Sequence, residues 1–442
     1  MALALRSPFD RDIARLAIPA VGALAAEPLY ILTDTAIVGR IGTPELGGLA
    51  VAATLVLTGY SVFIFLAYGT TGTVARLLGA GQPDRAAASG VQALWLALAV
   101  GVALAVLGLA FASPLVGAMG AAPEVRPHAL TYLRISMVGV PSLMLVLAGT
   151  GYLRGLQDTR TPLVVAVTSA LANLVLELVL VFGLDTGIAG SAWSTVLAQT
   201  GAAAVYVAIV VRHVRSAGVP VRPDRAALGA LATVSRDLFV RTAALRASLL
   251  VATAVAARTG VVDLGAHQVA FELWSFLALV LDAIAIAGQA MVGRLLGAGD
   301  ADGARAASRR MIEWGVAAGL VSGAVVAALS PVLPGLFTDD GDVARLASFL
   351  LLWVAGLQVV NAVVFVLDGV LIGAGDLRHL AWAMTLAALA FVPAAVAVRI
   401  LDLGIGWLWA AIALLMVSRL VALGARWQSG AWAVVGAERS RR

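Results

Sequence analysis

Apolar runs of about 20 residues, each closed by a short polar segment, recur along the whole chain; a helix of that length covers roughly 30 Å of hydrocarbon. They fall at 13–38, 48–75, 87–112, 127–152, 161–183, 188–211, 237–260, 266–293, 310–333, 346–373, 379–400 and 404–425. The pattern predicts an all-α integral membrane protein with twelve transmembrane helices. Composition agrees: 61% of the 442 residues are hydrophobic and 12% charged, against roughly 45–50% apolar in soluble domains, and the mean hydropathy is +0.98. The first run is too long for the apolar stretch of a cleaved signal and contains Glu27, Pro28 and Asp34, so it is expected to remain as the first span.

Charge refines this picture. The net charge is +5, yet the basic side chains, all arginine apart from four histidines, gather in alternate loops. Arg6, Arg11 and Arg15 precede span 1, Arg76 and Arg85 follow span 2, Arg154 and Arg160 separate spans 4 and 5, and Arg439, Arg441 and Arg442 close the chain. By the positive-inside rule both termini are expected in the cytoplasm, in a plasma (inner) membrane. No basic patch with interleaved aromatics stands apart from a membrane end, which excludes a nucleic-acid partner. The chain has no cysteine, which excludes disulfides, thiol catalysis and zinc–thiolate sites. No HExxH, no GxSxG and no Ser/His pair within the spans suggests an enzyme, and no repeated filter motif suggests a channel.

The hexapeptide RLLGAG occurs at 76–81 and again 218 residues later, at 294–299. The same offset lays GYLRGLQDTR (151–160) over GVLIGAGDLR (369–378), sharing Gly151/Gly369 and Asp158/Asp376. An offset holding six spans makes both copies enter the membrane from the same side, so two lobes related by an axis along the membrane normal are expected. The division predicted is a first lobe at 1–213, a cytoplasmic linker at 214–235, a second lobe at 236–425 and a cytoplasmic tail at 426–442. The repeated loop reads as a helix end capped by glycine, with Asp84 or Asp302 near the N-cap of the next helix.

The copies differ where charge enters the membrane. Asp34 in span 1 corresponds to Ala252, and Glu177 in span 5 to Ala395. Each acid lies six residues, about 9 Å, before the outer end of its span. Glu27, Tyr30 and Asp34 share one helical face, as do Asn173 and Glu177. An ionised acid near the bilayer centre costs about 2.5–3.5 kcal/mol, and clustered acids at low dielectric are a natural place to take up a proton in one conformation and release it in another. The alternative, that Asp34 and Glu177 only tie helices together through Thr33, Thr35 and Asn173, stays open at this level. Glu27 is either part of the cluster or a local polar partner at the Pro28 kink. The expected substrate cavity is lined by Tyr30, Thr33, Asp282, Gln289 and Asn361, whereas Asp368 is expected to pair with Arg378 or Arg154, and Arg241 and Arg246 to snorkel to the inner surface. The four histidines fall at span ends and are assigned neither to metal nor to proton transfer.

The stretches EPLYILTDTAIVGRIGTPELGGLA, RLLGAGQPDRA, GYLRGLQDTRTPL, NLVLEL and FVLDGVLIGAGD together resemble the multidrug and toxic compound extrusion (MATE) family, in the branch named for DNA-damage-inducible protein F. The resemblance implies two six-helix lobes around a central cavity and an ion-driven antiporter that exports organic, often cationic, compounds by alternating access. It places the family's helix-1 acid on Asp34, its helix-5 pattern on Asn173 and Glu177, and its helix-1 proline on Pro28. Where relatives carry a sodium-linked acid in helix 10, this chain has Asn361, which favours protons over sodium. Glu177 stands where an aspartate is the family expectation, and Glu27 before the proline is not part of the general pattern. The expectation is therefore a proton-coupled exporter with no cofactor, working as a monomer on small organic solutes among membrane lipids. The rival reading on the same fold is a flippase or exporter of lipid-linked or lipid-like cargo.

Overall fold

The computed structural model describes residues 7–438, so Arg6, Arg439, Arg441 and Arg442 lie outside the described residues. Within these the chain is helical and carries no strand: α1 (Pro8–Val38), α2 (Thr43–Phe63), α3 (Phe65–Gly79), α4 (Pro83–Ala110), α5 (Ala112–Ala118), α6 (Arg126–Gly155), α7 (Arg160–Leu178), α8 (Gly187–Ser216), α9 (Arg225–Thr259), α10 (Val261–Gly297), α11 (Ala301–Leu329), α12 (Gly341–Gly373), α13 (Leu377–Ile400) and α14 (Ile405–Gln428). Twelve stretches among the described residues are long and apolar enough to cross a membrane, with α2 and α3 forming one of them.

The 218-residue repeat is visible in the helix ends. The starts of α2 and α10, the ends of α6 and α12, and the starts of α8 and α14 are each separated by that offset. The shared sequences have a physical reason. A Cβ on Gly151 of α6 would lie 2.4 Å from the carbonyl oxygen of Ala67, and one on Gly369 of α12 would lie 2.3 Å from that of Ala285, 218 residues on. Only glycine lets these backbones approach so closely. The repeated RLLGAG turn closes its helix with the Ala80 amide on the Arg76 carbonyl at 3.0 Å and the Gln82 amide on the Leu77 carbonyl at 3.0 Å. It then turns through positive φ at Gly81 (+70°) and Gly299 (+85°). Asp84 and Asp302 stand near the N-cap as expected, in the first turns of α4 and α11, but the cap bond in α11 falls to a neighbour. Asp300, not Asp302, accepts from the Gly303 amide at 2.7 Å, because the glycine turn is already complete at residue 299. In the first copy Gln82 occupies that place, without a side-chain cap bond, ahead of Pro83 and Asp84.

Among the described residues the chain divides into two compact units, one holding 18–235 and the other 236–438 together with 7–17. The division differs from the predicted one at both ends of the first lobe. The start of α1 belongs with the second unit because Asp10 accepts from Arg310 (2.6 and 3.0 Å) and Trp314 (2.8 Å), while Ile13 and Leu16 are fully buried. The segment after α8 belongs with the first unit because Gln92 of α4 bonds both the Arg222 carbonyl (3.0 Å) and the Asp224 amide (2.9 Å). The end of the second unit folds back on itself, with the Gly436 amide bonded to the Leu296 carbonyl at 2.9 Å and Trp432 buried.

Inside the second unit, Asp368 of α12 pairs with Arg419 of α14 at 2.5 Å and with Arg241 of α9, both through Oδ2. This corrects two expectations. Asp368 does not use Arg378 or Arg154, and Arg241 is buried in an ion pair instead of snorkelling, because three helices bring their charges to one point in an interior where none could stand alone.

Candidate functional site

Two of the predicted acids meet in the first unit. α1 presents Asp34, 4% exposed, to the α6 and α8 side chains: Tyr132 donates to Oδ2 at 3.0 Å and Ser191 donates to Oδ1 at 2.8 Å. One turn earlier on α1, the Tyr30 hydroxyl bonds Thr195 of α8. Glu177 of α7 is fully buried and lies within electrostatic reach of Asp34. Neither of its oxygens accepts a well-formed hydrogen bond among the described residues, though the Ser191 hydroxyl that serves Asp34 stands beside it. Asn173, one turn before Glu177, is buried as well, with an unpartnered carbonyl oxygen. Immediately after Glu177 and Leu178 the helix widens into a single π-turn at Val179–Gly183, a distortion frequent at functional sites.

Asp34 borders a cavity of about 310 Å³ that lies wholly within the first unit. Its polar wall includes Tyr30, Asp34, Thr35, Tyr132, Thr195 and Gln199, and its apolar wall includes Leu46, Leu49, Ala50 and Ala53 of α2. Glu177 is not in that wall; it backs Asp34 from inside the protein. No arginine lines the cavity. The arrangement is a small, mostly apolar chamber with one carboxylate at its edge and a second carboxyl behind it, fit to hold either a proton or a cationic group.

The remaining predicted residues are placed as follows. Tyr30 lines the cavity, and Thr35 lines it where Thr33 was expected; Thr33 turns its hydroxyl back to the Leu29 carbonyl of its own helix at 2.9 Å. Pro28 sits inside α1, which continues through it. Glu27 is exposed on the face of Tyr30 and Asp34, outside the cavity lining and within electrostatic reach of Tyr60. Asp282, Gln289 and Asn361 all belong to the second unit, so they do not line this chamber; Asp282 is half-buried, and Gln289 and Asn361 are buried. Sequence reasoning missed Tyr132, Ser191 and Thr195, whose hydroxyls complete the site. It also passed over His267, which is fully buried despite its place near the start of α10.

The family model described as MatE matches residues 19–179 and 239–397. Protein DETOXIFICATION 44, chloroplastic, of Arabidopsis thaliana is 32% identical over 438 residues, covering 95% of this chain and 81% of its own. DNA damage-inducible protein F of Escherichia coli (strain K12) is 30% identical over 443 residues, covering 97% and 95%. Among solved structures, a MATE protein in a bent conformation superimposes with TM-score 0.85 at 21% identity over 96% of this chain and 95% of that one. An outward-facing multidrug resistance MATE family transporter of the MOP superfamily gives TM-score 0.84 at 20% identity over 97% of each chain.

Proposed function

The chain belongs to the MatE family of transporters, and from that premise we propose that it is a proton-coupled antiporter exporting organic, often cationic, compounds by alternating access. The observation that carries this reading is the buried pairing of Asp34 with Glu177 at the edge of a chamber. Two carboxylates at close quarters in low dielectric repel one another, and a single proton between them turns repulsion into a hydrogen bond. Tyr132 and Ser191 supply Asp34 with the donors an ionised carboxylate needs, whereas Glu177 faces Asp34 with the Ser191 hydroxyl beside it. The satisfied arrangement is a proton on Glu177 donated toward Asp34.

In this mechanism an organic cation and a second proton compete for the Asp34 edge of the chamber. Proton arrival from outside neutralises Asp34, loosens the Tyr132 and Ser191 hydrogen bonds and expels the cation. Bending of α1 at Pro28 then carries Asp34 and its proton toward the inner side, and proton release restores the carboxylate. Asn361, standing where the family resemblance leads one to expect a sodium-linked acid, supports protons over sodium. The chamber's acidic and apolar lining, with no arginine, favours a cationic solute over the phosphate of a lipid-linked cargo.

The test is uptake of a fluorescent organic cation into inverted membrane vesicles, driven first by a proton gradient and then by a sodium gradient. Proton-driven uptake is expected, with loss of at least 100-fold in Asp34→Asn at unchanged expression and thermal stability. Uptake that follows sodium alone, or that survives Asp34→Asn, rejects the reading.

A further inference from the structure

The second unit holds buried polar atoms for which the exporter reading has no use. Gln358 and Asn361, one turn apart on α12, are 0% and 1% exposed, and none of their four amide nitrogen and oxygen atoms has a hydrogen-bond partner among the described residues. His267 of α10 is 0% exposed with both ring nitrogens unpartnered in the same sense. Its ring lies 5.8 Å from that of Phe271 and 5.8 Å from that of Trp409 on α14, centroid to centroid. The Trp409 indole nitrogen is unpartnered as well. Buried polar groups are hydrogen-bonded in the great majority of cases, and a group that is not calls for an explanation. Here several sit in one lobe of a membrane interior, where lipid offers no partner.

The repeat aligns them with the chamber of the first unit. Subtracting the 218-residue offset places His267 over Leu49, Gln358 over Val140, Asn361 over Leu143 and Trp409 over Ser191. Leu49, Val140 and Leu143 all line the chamber of the first unit, and Ser191 is the hydroxyl donor to Asp34. Conversely, Asp34, Tyr132 and Ser136 of that chamber fall on Ala252, Leu350 and Val354. Each lobe thus makes the aligned place polar, sharing only the Ser191/Trp409 position. The first uses a carboxylate and hydroxyls; the second uses an imidazole, two amides and an indole.

We infer that His267, Gln358, Asn361 and Trp409 form a second solute subsite, in the second lobe, for uncharged hydrogen-bonding groups such as hydroxyl, carbonyl or amide. The chemistry of the set is selective. Amide and indole N–H groups donate, amide oxygens accept, and a neutral imidazole does one of each. A bare cation would satisfy only the acceptors and an anion only the donors; a neutral polar group satisfies both. The ring faces of Phe271 and Trp409 suit a flat or apolar body beside it. The subsite rests on the reading of the chain as an exporter of organic solutes, but not on what drives it.

The experiment is equilibrium binding to the full-length protein in detergent, without any gradient, of two fluorescent quaternary ammonium compounds. One carries a hydroxyethyl arm and the other a propyl arm of equal length in its place. The unmodified protein is expected to bind the hydroxyethyl compound at least tenfold more tightly, a difference of about 1.4 kcal/mol. The double variant Gln358→Val, Asn361→Leu, which copies the first lobe, is expected to lose that preference while binding the propyl compound within twofold of the unmodified protein. Its melting temperature is expected to hold or rise, because unmet polar atoms are replaced by apolar ones. The single variant Asn361→Leu provides the same comparison if the double one fails to fold. Equal binding of the two compounds by the unmodified protein overturns the inference, since ordered water alone would then occupy the place. Equal loss of both compounds in the variants, or a marked fall in melting temperature, overturns it in favour of a packing role. A protein that discriminates between the compounds yet transports with sodium, or without Asp34, would sink the coupling mechanism and leave the subsite standing.

Discussion

Asp34 takes a hydroxyl from each of two other helices, Tyr132 on α6 and Ser191 on α8. A hydrogen bond to a charged group is worth about 1.5–3 kcal/mol, so each donor accounts for at least a tenfold effect on any step that needs Asp34 ionised. Tyr132→Phe and Ser191→Ala are therefore expected to lower proton-driven uptake by ten-fold or more each, with normal insertion and melting temperature. Vesicle uptake beside that of Asp34→Asn checks this; variants as active as the unmodified protein would mean the hydroxyls are bystanders. The two acids were legible in the sequence because an unpaired carboxyl inside an apolar run demands a reason. Their donors were not. A hydroxyl in a helix either bonds the carbonyl four residues back, as Thr33 does to Leu29 and Thr54 to Ala50, or crosses to a neighbour, as Ser191 does. Spacing along one helix does not distinguish the two. His267 was passed over for a similar reason: nearness to a span end is a statement about depth, whereas burial depends on what the other helices bring.

At the level of helices, the repeat told where elements begin and end more surely than which side chains join them. The glycines of GYLRGLQDTR and GVLIGAGDLR marked real close approaches, of α6 to α3 and of α12 to α10. The partner of Asp368 was out of reach, because Arg241 and Arg419 are 127 and 51 residues away along the chain and only packing of α9, α12 and α14 brings them together. Breaking a buried pair by removing one partner typically costs about 3–5 kcal/mol, since the remaining charge is left uncompensated. Asp368→Ala strands two guanidinium groups and is expected to lower the melting temperature sharply, more than Arg241→Met, which leaves the Asp368–Arg419 pair intact. Thermal unfolding of the purified variants in detergent checks the order. A neutral Asp368→Ala would show that the cluster is wet and loosely held.

Across the whole molecule the two lobes share a scaffold and divide their charges. Asp34 and Glu177 have Ala252 and Ala395 as counterparts, while Arg241, Asp368 and Arg419 have Ala23, Thr150 and Gly201. A buried pair of acids belongs to one copy, and a buried aspartate held by two arginines to the other. Duplication followed by such divergence leaves a constraint that can be tested apart from any transport assay. Six spans lie between any loop and its copy, so Asp84 and Asp302, both exposed and 218 residues apart, must face the same side of the membrane whatever the orientation. The positive-inside rule applied to the arginine-rich loops predicts that this side is the cytoplasm. The chain has no cysteine, so single cysteines report position without background. Asp84→Cys and Asp302→Cys are expected to resist a membrane-impermeant maleimide added to intact cells and to react once the membrane is opened. Glu124→Cys and Asp339→Cys, in exposed loops expected on the other side, should react in intact cells. Labelling of all four in reverse would invert the orientation and the direction of export with it, while opposite behaviour of Asp84→Cys and Asp302→Cys would break the six-span repeat itself.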